Sequence, residues 1–211
     1  MKIIYIMGKS SSGKDTIFNI IKEKLNVNTY VMYTTRPIRE GEVPGETYNY
    51  ISDEEMKKYI DGRAKNKLIE SRTYQTIHGP WTYATIADEQ FNTKKDLIML
   101  GTLESYNKMK EHFKNELIPV YIEVEDGVRL ERALKREKEQ KEPKYTELCR
   151  RFIADNKDFS EKNIENAGIE KRFQNIDLDK CVSEIIKYLN NWEKQRINEI
   201  NKEKMLFFIK L

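Results

Sequence analysis

The fold is decided by the stretch Gly8-Lys9-Ser10-Ser11-Ser12-Gly13-Lys14-Asp15-Thr16. An apolar run at residues 3–7 precedes it, and Ile17, Ile20, Ile21 and Leu25 share one helical face after it. A strand, a glycine-rich turn and a helix in this order predict a phosphate-binding loop. We expect Gly8 and Gly13 to adopt positive φ, so that free N–H groups of the turn and the helix start converge on an anion.

The side chains of this loop suit a nucleoside triphosphate. Lys14 carries a mobile positive charge that can follow a transferring phosphoryl group, which makes it a candidate catalytic residue. Asp15 stands where such loops have the Ser or Thr that binds Mg²⁺, and a carboxylate is itself a hard-oxygen ligand. We therefore expect Asp15 to contact a metal ion; the alternative is that it only favours the positive end of the helix.

Composition limits the classes of protein to which the chain can belong. A hydrophobic fraction of 38% in 211 residues suffices for one large domain or for a core with insertions. The net charge of +3 gives no reason to expect a nucleic-acid partner. No apolar run approaches the roughly 20 residues of a membrane span, and no signal peptide is visible, so we expect a cytoplasmic protein without a membrane partner. Cys149 and Cys181 form no metal-spaced cluster, and we expect buried, reduced thiols.

Strands and helices alternate along most of the chain. We predict strands at 3–7, 96–101, 117–124 and 173–176, and helices at 103–113, 127–138, 145–156 and 178–197. This alternation indicates an α/β fold whose parallel sheet is covered on both faces. Residues 34–86 interrupt it with strands at 47–51 and 67–71, a β-like segment at 74–83, and a short helix to about residue 60 that opens on a Ser52–Glu55 capping box. The apolar tail at 205–209 is expected to dock on the body or on a partner chain.

The segment after the loop resembles the acceptor-binding segment of the guanylate kinase family. The family pattern is Thr-Thr-Arg, two residues, Arg, one residue, Gly-Glu, and then Gly and Tyr before a strand and Ser. This chain has Thr34-Thr35-Arg36-Pro37-Ile38-Arg39-Glu40-Gly41-Glu42, then Gly45 and Tyr48-Asn49-Tyr50-Ile51-Ser52. Leu68-Ile69-Glu70 resembles the next family element, and Gln174-Asn175-Ile176-Asp177-Leu178-Asp179 resembles its last strand and turn. The resemblance covers most of residues 1–190.

This resemblance implies a three-layer P-loop kinase fold with a parallel core sheet, a small β-rich acceptor-binding insertion and a helical lid. It implies one domain over residues 1–211, with a core at 1–33 and 87–211, an acceptor-binding subdomain at about 34–86 and a lid at about 133–150. The implied activity is that of an ATP-dependent nucleoside monophosphate kinase of purine metabolism, which uses ATP with Mg²⁺ and GMP. We expect a monomer or a homodimer.

The resemblance also implies roles for individual residues. The ATP-binding candidates are Gly8, Ser10, Ser11, Ser12, Gly13, Lys14, Asp15, Thr16 and Asn175. The acceptor-binding candidates are Arg36, Arg39, Tyr48, Glu70, Tyr83 and Thr102. Besides Lys14, the catalytic candidates are Arg132, Arg136 and Arg151, which can stabilise the charge that spreads over the moving phosphoryl group.

Within the acceptor site, Arg36, Arg39 and the Tyr48 hydroxyl can hold a monophosphate dianion. The two oxygens of Glu70 can accept from guanine N1–H and the 2-amino group. The family's tyrosine-tyrosine-glycine element corresponds either to the segment that begins at Tyr83 or to His78-Gly79.

Several positions that contact the base in this family differ here. Met32 replaces a small hydroxyl residue. Near the end of the third strand, where the family has acidic residues, this chain has Leu100-Gly101-Thr102-Leu103-Glu104. The residues expected to bind the acceptor's phosphate match the family pattern, whereas part of those expected to contact the base differ from it. Two alternatives to a kinase of GMP therefore stay open: a related kinase of another phosphomonoester, and a non-catalytic binding module of the same fold.

Overall fold

The computed structural model describes residues 1–39, 41–65, 67–76 and 79–192 of the chain. In chain order, the described strands are β1 (Ile3–Met7), β2 (Asn28–Thr29), β3 (Tyr33–Thr34), β4 (Asn49–Tyr50), β5 (Leu68–Thr76), β6 (Gly79–Ile86), β7 (Leu97–Gly101), β8 (Leu117–Glu123) and β9 (Arg172–Gln174). The described helices are α1 (Lys14–Leu25), α2 (Asp53–Ile60), α3 (Leu103–Phe113), α4 (Asp126–Lys138), α5 (Tyr145–Asp158), α6 (Glu161–Asn166) and α7 (178–192).

A five-stranded parallel sheet in the order β2-β7-β1-β8-β9 forms the centre of the fold. On one face it packs against α1 and α7 through a cluster that includes Ile6, Ile21 and Ile185. On the other face it packs against α3 and α6 through a cluster that includes Tyr5, Met109 and Ile164. Since every residue of β1 is buried, its sequence is a continuous apolar run rather than an alternating one. The predicted α/β fold with both faces covered is confirmed.

A second, four-stranded sheet in the order β4-β3-β6-β5 is built from residues 33–86. Its main unit is the antiparallel pair of β5 and β6, and β5 packs against α3. The strand predicted at 47–51 is shorter, while the strand predicted at 67–71 extends to Thr76. Helix α2 opens on the predicted capping box, because the Ser52 side chain accepts from the Glu55 N–H. Of the turn predicted at 78–80, His78 lies outside the described residues.

The remaining helices agree closely with their predicted bounds. Helix α3 covers 103–113 as predicted, and α4 and α5 differ by one or two residues at one end. Helix α7 begins at 178 as predicted, but the end at 197 and the tail at 205–209 lie outside the described residues. No helix in the described part of the chain is long and apolar enough to cross a membrane.

One prediction about the cysteines is wrong. Both thiols are free, and Cys181 is buried on α7, where desolvation raises its pKa to about 11. Cys149 is exposed instead, and it lies on α5, in which no residue is buried.

Candidate functional site

Two glycines shape the loop between β1 and α1 for different reasons. Gly13 has the predicted positive φ, +82°, and it is the N-terminal cap of α1. Gly8 does not have the predicted positive φ; a Cβ there would lie only 2.5 Å from the backbone oxygen of Ile122, so the close approach of β8 requires glycine. Ser11, which the sequence did not single out for this, has the second left-handed conformation of the loop, at φ +62°.

The start of α1 has the features of an anion site. Helix α1 has no side-chain cap at its N-terminus, so its first N–H groups are left for another partner. Within the described residues, the hydroxyls of Ser11 and Ser12 are buried and have no hydrogen-bond partner. Buried polar atoms without a partner are rare in folded proteins, and here they lie in the loop that holds Lys14. The loop therefore offers several donors to phosphate oxygens.

Charged side chains flank this anion site. The Lys14 side chain is 22% exposed, and its Nζ lies 3.6 Å from Oδ2 of Asp15. Asp15 is in the first turn of α1 with 76% of its side chain exposed, so its carboxylate is open to a metal ion. Thr16 is exposed in the same turn.

The structure brings two further predicted residues to this loop. The side-chain amide Nδ2 of Asn175 donates to the backbone oxygen of Ser12 at 2.8 Å. Nη2 of Arg132 in turn donates to the backbone oxygen of Asn175 at 3.1 Å. Asn175 follows β9, which lies two strands away from β1 in the parallel sheet. The contact between Asn175 and Ser12 therefore depends on the order of the strands. A candidate ATP residue and a candidate catalytic arginine are thus linked to the loop.

A buried arginine, Arg129, holds the outer side of the loop and was missed by the sequence analysis. It is 1% exposed, and its Nη1 donates to the backbone oxygen of Ser10 at 3.0 Å. Its Nη2 donates to Asp126 Oδ1 at 2.7 Å and to Asn156 Oδ1 at 3.0 Å, and its guanidinium lies 4.7 Å from the ring centroid of Phe152. Arg129 comes one helical turn before Arg132, and this spacing was the only signal in the sequence.

Lys9 and Ser10 join the same network from the loop. Lys9 Nζ donates to Asn156 Oδ1 at 2.8 Å and to Asp126 Oδ1 at 3.3 Å, and the Ser10 N–H donates to Asp155 Oδ2 at 2.6 Å. Partial burial opposes ionisation of Asp126, but hydrogen bonds from Arg129 and Lys9 outweigh it and lower the Asp126 pKa. Helices α4 and α5 are therefore tied to the phosphate-binding loop by residues that lie outside the predicted lid at about 133–150.

The other two candidate catalytic arginines are exposed. Arg136 lies on the outer side of α4. Arg151 lies on α5, where 54% of its side chain is exposed and its Nε donates to Glu147 of the same helix at 2.9 Å. Arg150 donates to Glu147 as well, and these hydrogen bonds, that from Arg150 first, lower the Glu147 pKa to about 2.

Glu42 organises the arginines of the acceptor segment. Its Oε1 accepts from Arg36 Nη2 at 2.7 Å, and its Oε2 accepts from the Arg39 N–H and from the Tyr50 hydroxyl, each at 2.8 Å. The hydrogen bond from Arg36 is the main reason that the pKa of Glu42 falls to about 2. The quoted motif contained Glu42, but its pattern did not reveal this role.

Arg36 and Arg39 keep donors for a phosphate. Arg36 is 3% exposed, and it spends one hydrogen bond on Glu42 and one on the backbone oxygen of Pro37. A guanidinium has five N–H donors, so these two bonds, both to described residues, do not use all of its donors. Arg39 is exposed, and its guanidinium lies 5.9 Å from the ring centroid of Trp81.

Tyr48 and Tyr83 connect the arginines to the interior of the second sheet. The Tyr48 ring lies 5.4 Å from the guanidinium carbon of Arg36 and 5.6 Å from the Tyr83 ring. Burial raises the pKa of Tyr48, so its hydroxyl stays protonated and can donate. Of the two sequence alternatives for the tyrosine element, Tyr83 makes these contacts, while His78 lies outside the described residues.

Glu70 lies beyond Tyr83 and is buried, and only its Oε2 has no hydrogen-bond partner among the described residues. Its Oε1 accepts from Arg72 Nη1 at 2.8 Å and from Thr85 Oγ1 at 3.0 Å. The expected contact of both Glu70 oxygens with a guanine edge is therefore not available. Arg72 was missed, although Glu70 and Arg72 are two residues apart on one strand and so share a face.

The residues that replace the family's base contacts lie in different places. Met32 packs against the cluster around Tyr5, and its sulfur is 3.8 Å from Arg72 Nη2. Leu100 packs on the opposite face of the parallel sheet, against the cluster of α1 and α7, so it does not face Arg72 as Met32 does. Thr102 caps α3, since its Oγ1 accepts from the Ser105 N–H at 3.2 Å.

Two cavities adjoin these groups. One of about 320 Å³ lies at the carboxyl end of β8 and is lined by Lys9, Asp126 and Arg129, among others. The other, of about 350 Å³, is lined by Tyr74, Thr102 and Asp158, among others. Both are near strand ends, which is where ligands of parallel α/β sheets bind.

Comparisons with known proteins agree with this architecture. The family described as guanylate kinase matches residues 1–191. Guanylate kinases of Helicobacter pylori strain 26695 and Clostridium tetani are 28% and 32% identical over 116 residues, which are 54% and 53% of this chain. The matched regions cover 53% and 52% of those proteins, so the chain spans about half the length of the curated relatives it matches.

Solved structures show the same fold. The guanylate kinase of Anaplasma phagocytophilum superposes with a TM-score of 0.59 at 18% identity, covering 90% of this chain and 85% of that one. A gluconokinase from Sinorhizobium meliloti 1021 superposes with a TM-score of 0.54 at 13% identity, covering 94% of this chain and 97% of that one. At such identities the likeness concerns the fold alone.

Proposed function

Since the chain belongs to the guanylate kinase family, we propose that it transfers the terminal phosphoryl group of ATP to a nucleoside monophosphate, with GMP as the first acceptor to consider. The observation that carries this proposal is the anion site at the start of α1. There, an uncapped helix end and the buried hydroxyls of Ser11 and Ser12 lie in the same loop as Lys14. These groups are suited to the phosphates of ATP.

The acceptor's phosphate is assigned to the arginine turn. Arg36, Arg39 and the protonated hydroxyl of Tyr48 supply charge-assisted and neutral hydrogen bonds to a dianion. Because the acceptor phosphate is already anionic, the reaction needs no general base; positioning and charge neutralisation suffice. Lys14, Arg132, Arg136 and Arg151 are proposed to stabilise the phosphoryl group in transit, the last two after closure of the lid at about 133–150.

Mg²⁺ is proposed as the metal that accompanies ATP, with Asp15 as its protein ligand. The exposed carboxylate of Asp15 offers the hard oxygen that this ion prefers. In the described part of the chain no three His, Cys, Asp or Glu side chains gather to hold a metal ion. Asp15 therefore fits an ion whose other ligands are water and phosphate oxygens, as Mg²⁺ commonly has in such enzymes. Bound there, the ion would neutralise phosphate charge.

A second candidate function is a kinase of another phosphomonoester. The observation that favours it is the Glu70–Arg72 pair beside Met32, which changes what an acceptor ring would meet. Subdomain bounds of about 34–86, a cytoplasmic location and a monomeric or homodimeric state are further parts of the proposal.

The proposal is tested by measuring ADP release from ATP with a panel of nucleoside and sugar monophosphates, together with equilibrium binding of ATP. Turnover with GMP supports the proposal, and turnover only with another acceptor supports the second candidate. ATP binding without turnover on any acceptor would contradict both and support a non-catalytic module.

A further inference from the structure

The buried ion pair of Glu70 and Arg72 has two polar atoms left over. Glu70 is 2% exposed and Arg72 is 8% exposed. Within the residues that the structure describes, Oε2 of Glu70 and Nε of Arg72 are buried and have no hydrogen-bond partner. An unpaired buried acceptor and an unpaired buried donor are each unfavourable, so two of them in one ion pair point to a ligand that satisfies both.

Both terminal nitrogens of Arg72 contact other side chains. Nη1 donates to Glu70 Oε1 at 2.8 Å, and Nη2 lies 3.8 Å from the Met32 sulfur. The guanidinium carbon lies 5.6 Å from the ring centroid of Tyr83. Burial opposes the charge of Arg72, but the Glu70 carboxylate more than offsets it and raises the Arg72 pKa, so the guanidinium is charged.

The pair is next to the phosphate-holding residues. Tyr83, over which Arg72 lies, also contacts the Tyr48 ring, and Tyr48 contacts Arg36. A monophosphate held by Arg36 would therefore place its attached ring in the direction of Tyr83, Arg72 and Glu70.

We propose that Arg72 determines acceptor specificity by occupying one oxygen of Glu70. The site then hydrogen-bonds with one donor and one acceptor of the acceptor's purine ring, and it makes no hydrogen bond with a 2-amino group. This inference rests on the proposed function. The expected substrate class is the 6-oxopurine nucleoside monophosphates, with or without the 2-amino group. Ring N1–H donates to Glu70 Oε2, and the ring carbonyl O6 accepts from Arg72 Nε.

The chemistry of the purine edge separates this arrangement from a free carboxylate. Guanine presents N1–H and a 2-amino group as neighbouring donors, and both oxygens of an unoccupied carboxylate can accept from them. With Oε1 taken by Arg72 and Thr85, the second donor has no acceptor on Glu70. Inosine monophosphate has the same N1–H and O6 as GMP and lacks only the amino group, which makes the two nucleotides a matched pair of probes.

The test is equilibrium binding of GMP and of inosine monophosphate to the purified protein, with turnover measured separately. One neutral hydrogen bond changes affinity by roughly twofold to tenfold, so without the 2-amino contact the two dissociation constants should agree within about threefold. The variant Arg72→Met removes one of the two donors on Glu70 Oε1, so that the 2-amino group can donate to this carboxylate oxygen, and it should raise the preference for GMP by about tenfold or more. The variant Arg72→Lys keeps a cation on Glu70 and should restore the wild-type ratio, which a merely structural role would not explain. An exposed control, Arg63→Met, should leave the ratio unchanged.

The wild-type ratio requires no variant, so it tests the inference even if Arg72→Met does not fold. A wild-type preference for GMP of about 30-fold or more, or no binding of either nucleotide, would overturn the inference. Turnover together with a strong GMP preference would leave the proposed function standing and remove the role of Arg72. Equal binding of GMP and inosine monophosphate without any turnover would support the role of Arg72 and contradict the proposed function.

Discussion

Gly13 and Asn175 should be energetically coupled, and the substitution Gly13→Ala reveals the coupling. Gly13 has φ +82°, a conformation that costs an alanine about 1–2 kcal/mol. The new Cβ would also lie 2.3 Å from Nδ2 of Asn175, so the amide must move and lose its hydrogen bond to the Ser12 backbone oxygen. Leaving that buried oxygen unpaired costs about 1–3 kcal/mol. We therefore expect Gly13→Ala to lower the free energy of unfolding by about 2–5 kcal/mol.

The single variant Asn175→Ala removes the same hydrogen bond from the other side and should cost about 1–3 kcal/mol. In the double variant the bond is lost only once. Its cost should therefore equal that of Gly13→Ala alone, about 2–5 kcal/mol, and fall short of the sum of the two single variants by about 1–3 kcal/mol.

Urea unfolding of the wild type, both single variants and the double variant provides these free energies. The matched control is Gly45→Ala, where φ is +80° but no atom of the described residues, other than those of its chain neighbours, lies within 4 Å of the added Cβ. This control should show only the conformational cost of about 1–2 kcal/mol and should be additive with Asn175→Ala. Additive costs for Gly13→Ala and Asn175→Ala would refute the reasoning about the loop.

Three further predictions concern charged groups. Lys14→Ala should lower kcat by at least about 100-fold with little change in the free energy of unfolding. The control Lys22→Ala, at the other end of α1, should keep normal turnover. Normal turnover in both variants would contradict the catalytic role of Lys14. Arg39→Ala should raise KM for the acceptor about tenfold and leave KM for ATP unchanged. Substitution of the exposed Arg63 by Ala is the control. Equal effects on both KM values would contradict the proposal that Arg39 binds the acceptor's phosphate. Because the pKa of Glu42 is lowered from 4.5 to about 2 in the folded protein, its stabilisation should be complete above about pH 4.5 and should disappear as the pH falls toward 2. The difference in melting temperature between wild type and Glu42→Gln should follow that course, and a difference independent of pH would speak against the hydrogen bond with the arginine.

Local pattern was enough to predict the frame of the molecule. The run before Gly8 and the periodic apolar residues after Gly13 encode β1 and α1 within a few positions of the chain. The capping box at Ser52 is similarly local, because donor and acceptor are three residues apart. Such features depend on nearest neighbours, so the sequence contains them in readable form.

The missed features depend on residues that are distant in sequence. Arg129 contacts the Ser10 backbone across 119 positions. The hydrogen bond of Asn175 to the Ser12 backbone spans 163 positions, and Asn175 was predicted only through the family resemblance. Which side chains meet there is decided by the order of the strands in the parallel sheet. The sequence analysis explained the glycine at position 8 by a positive φ. The structure shows that the neighbouring strand β8 leaves no room for a side chain there. The spacing of Glu70 and Arg72 could have predicted that their side chains lie on the same face of a strand. It could not predict that Arg72 occupies one oxygen of Glu70.

The most direct test of the central claim is product analysis after incubation of the purified protein with ATP, Mg²⁺ and GMP. The account predicts that ADP and GDP form in equal amounts, and that neither forms when GMP or Mg²⁺ is left out. ADP formation that does not depend on GMP, or saturable binding of both nucleotides without any GDP, would contradict the claim that this fold brings two phosphates together for transfer.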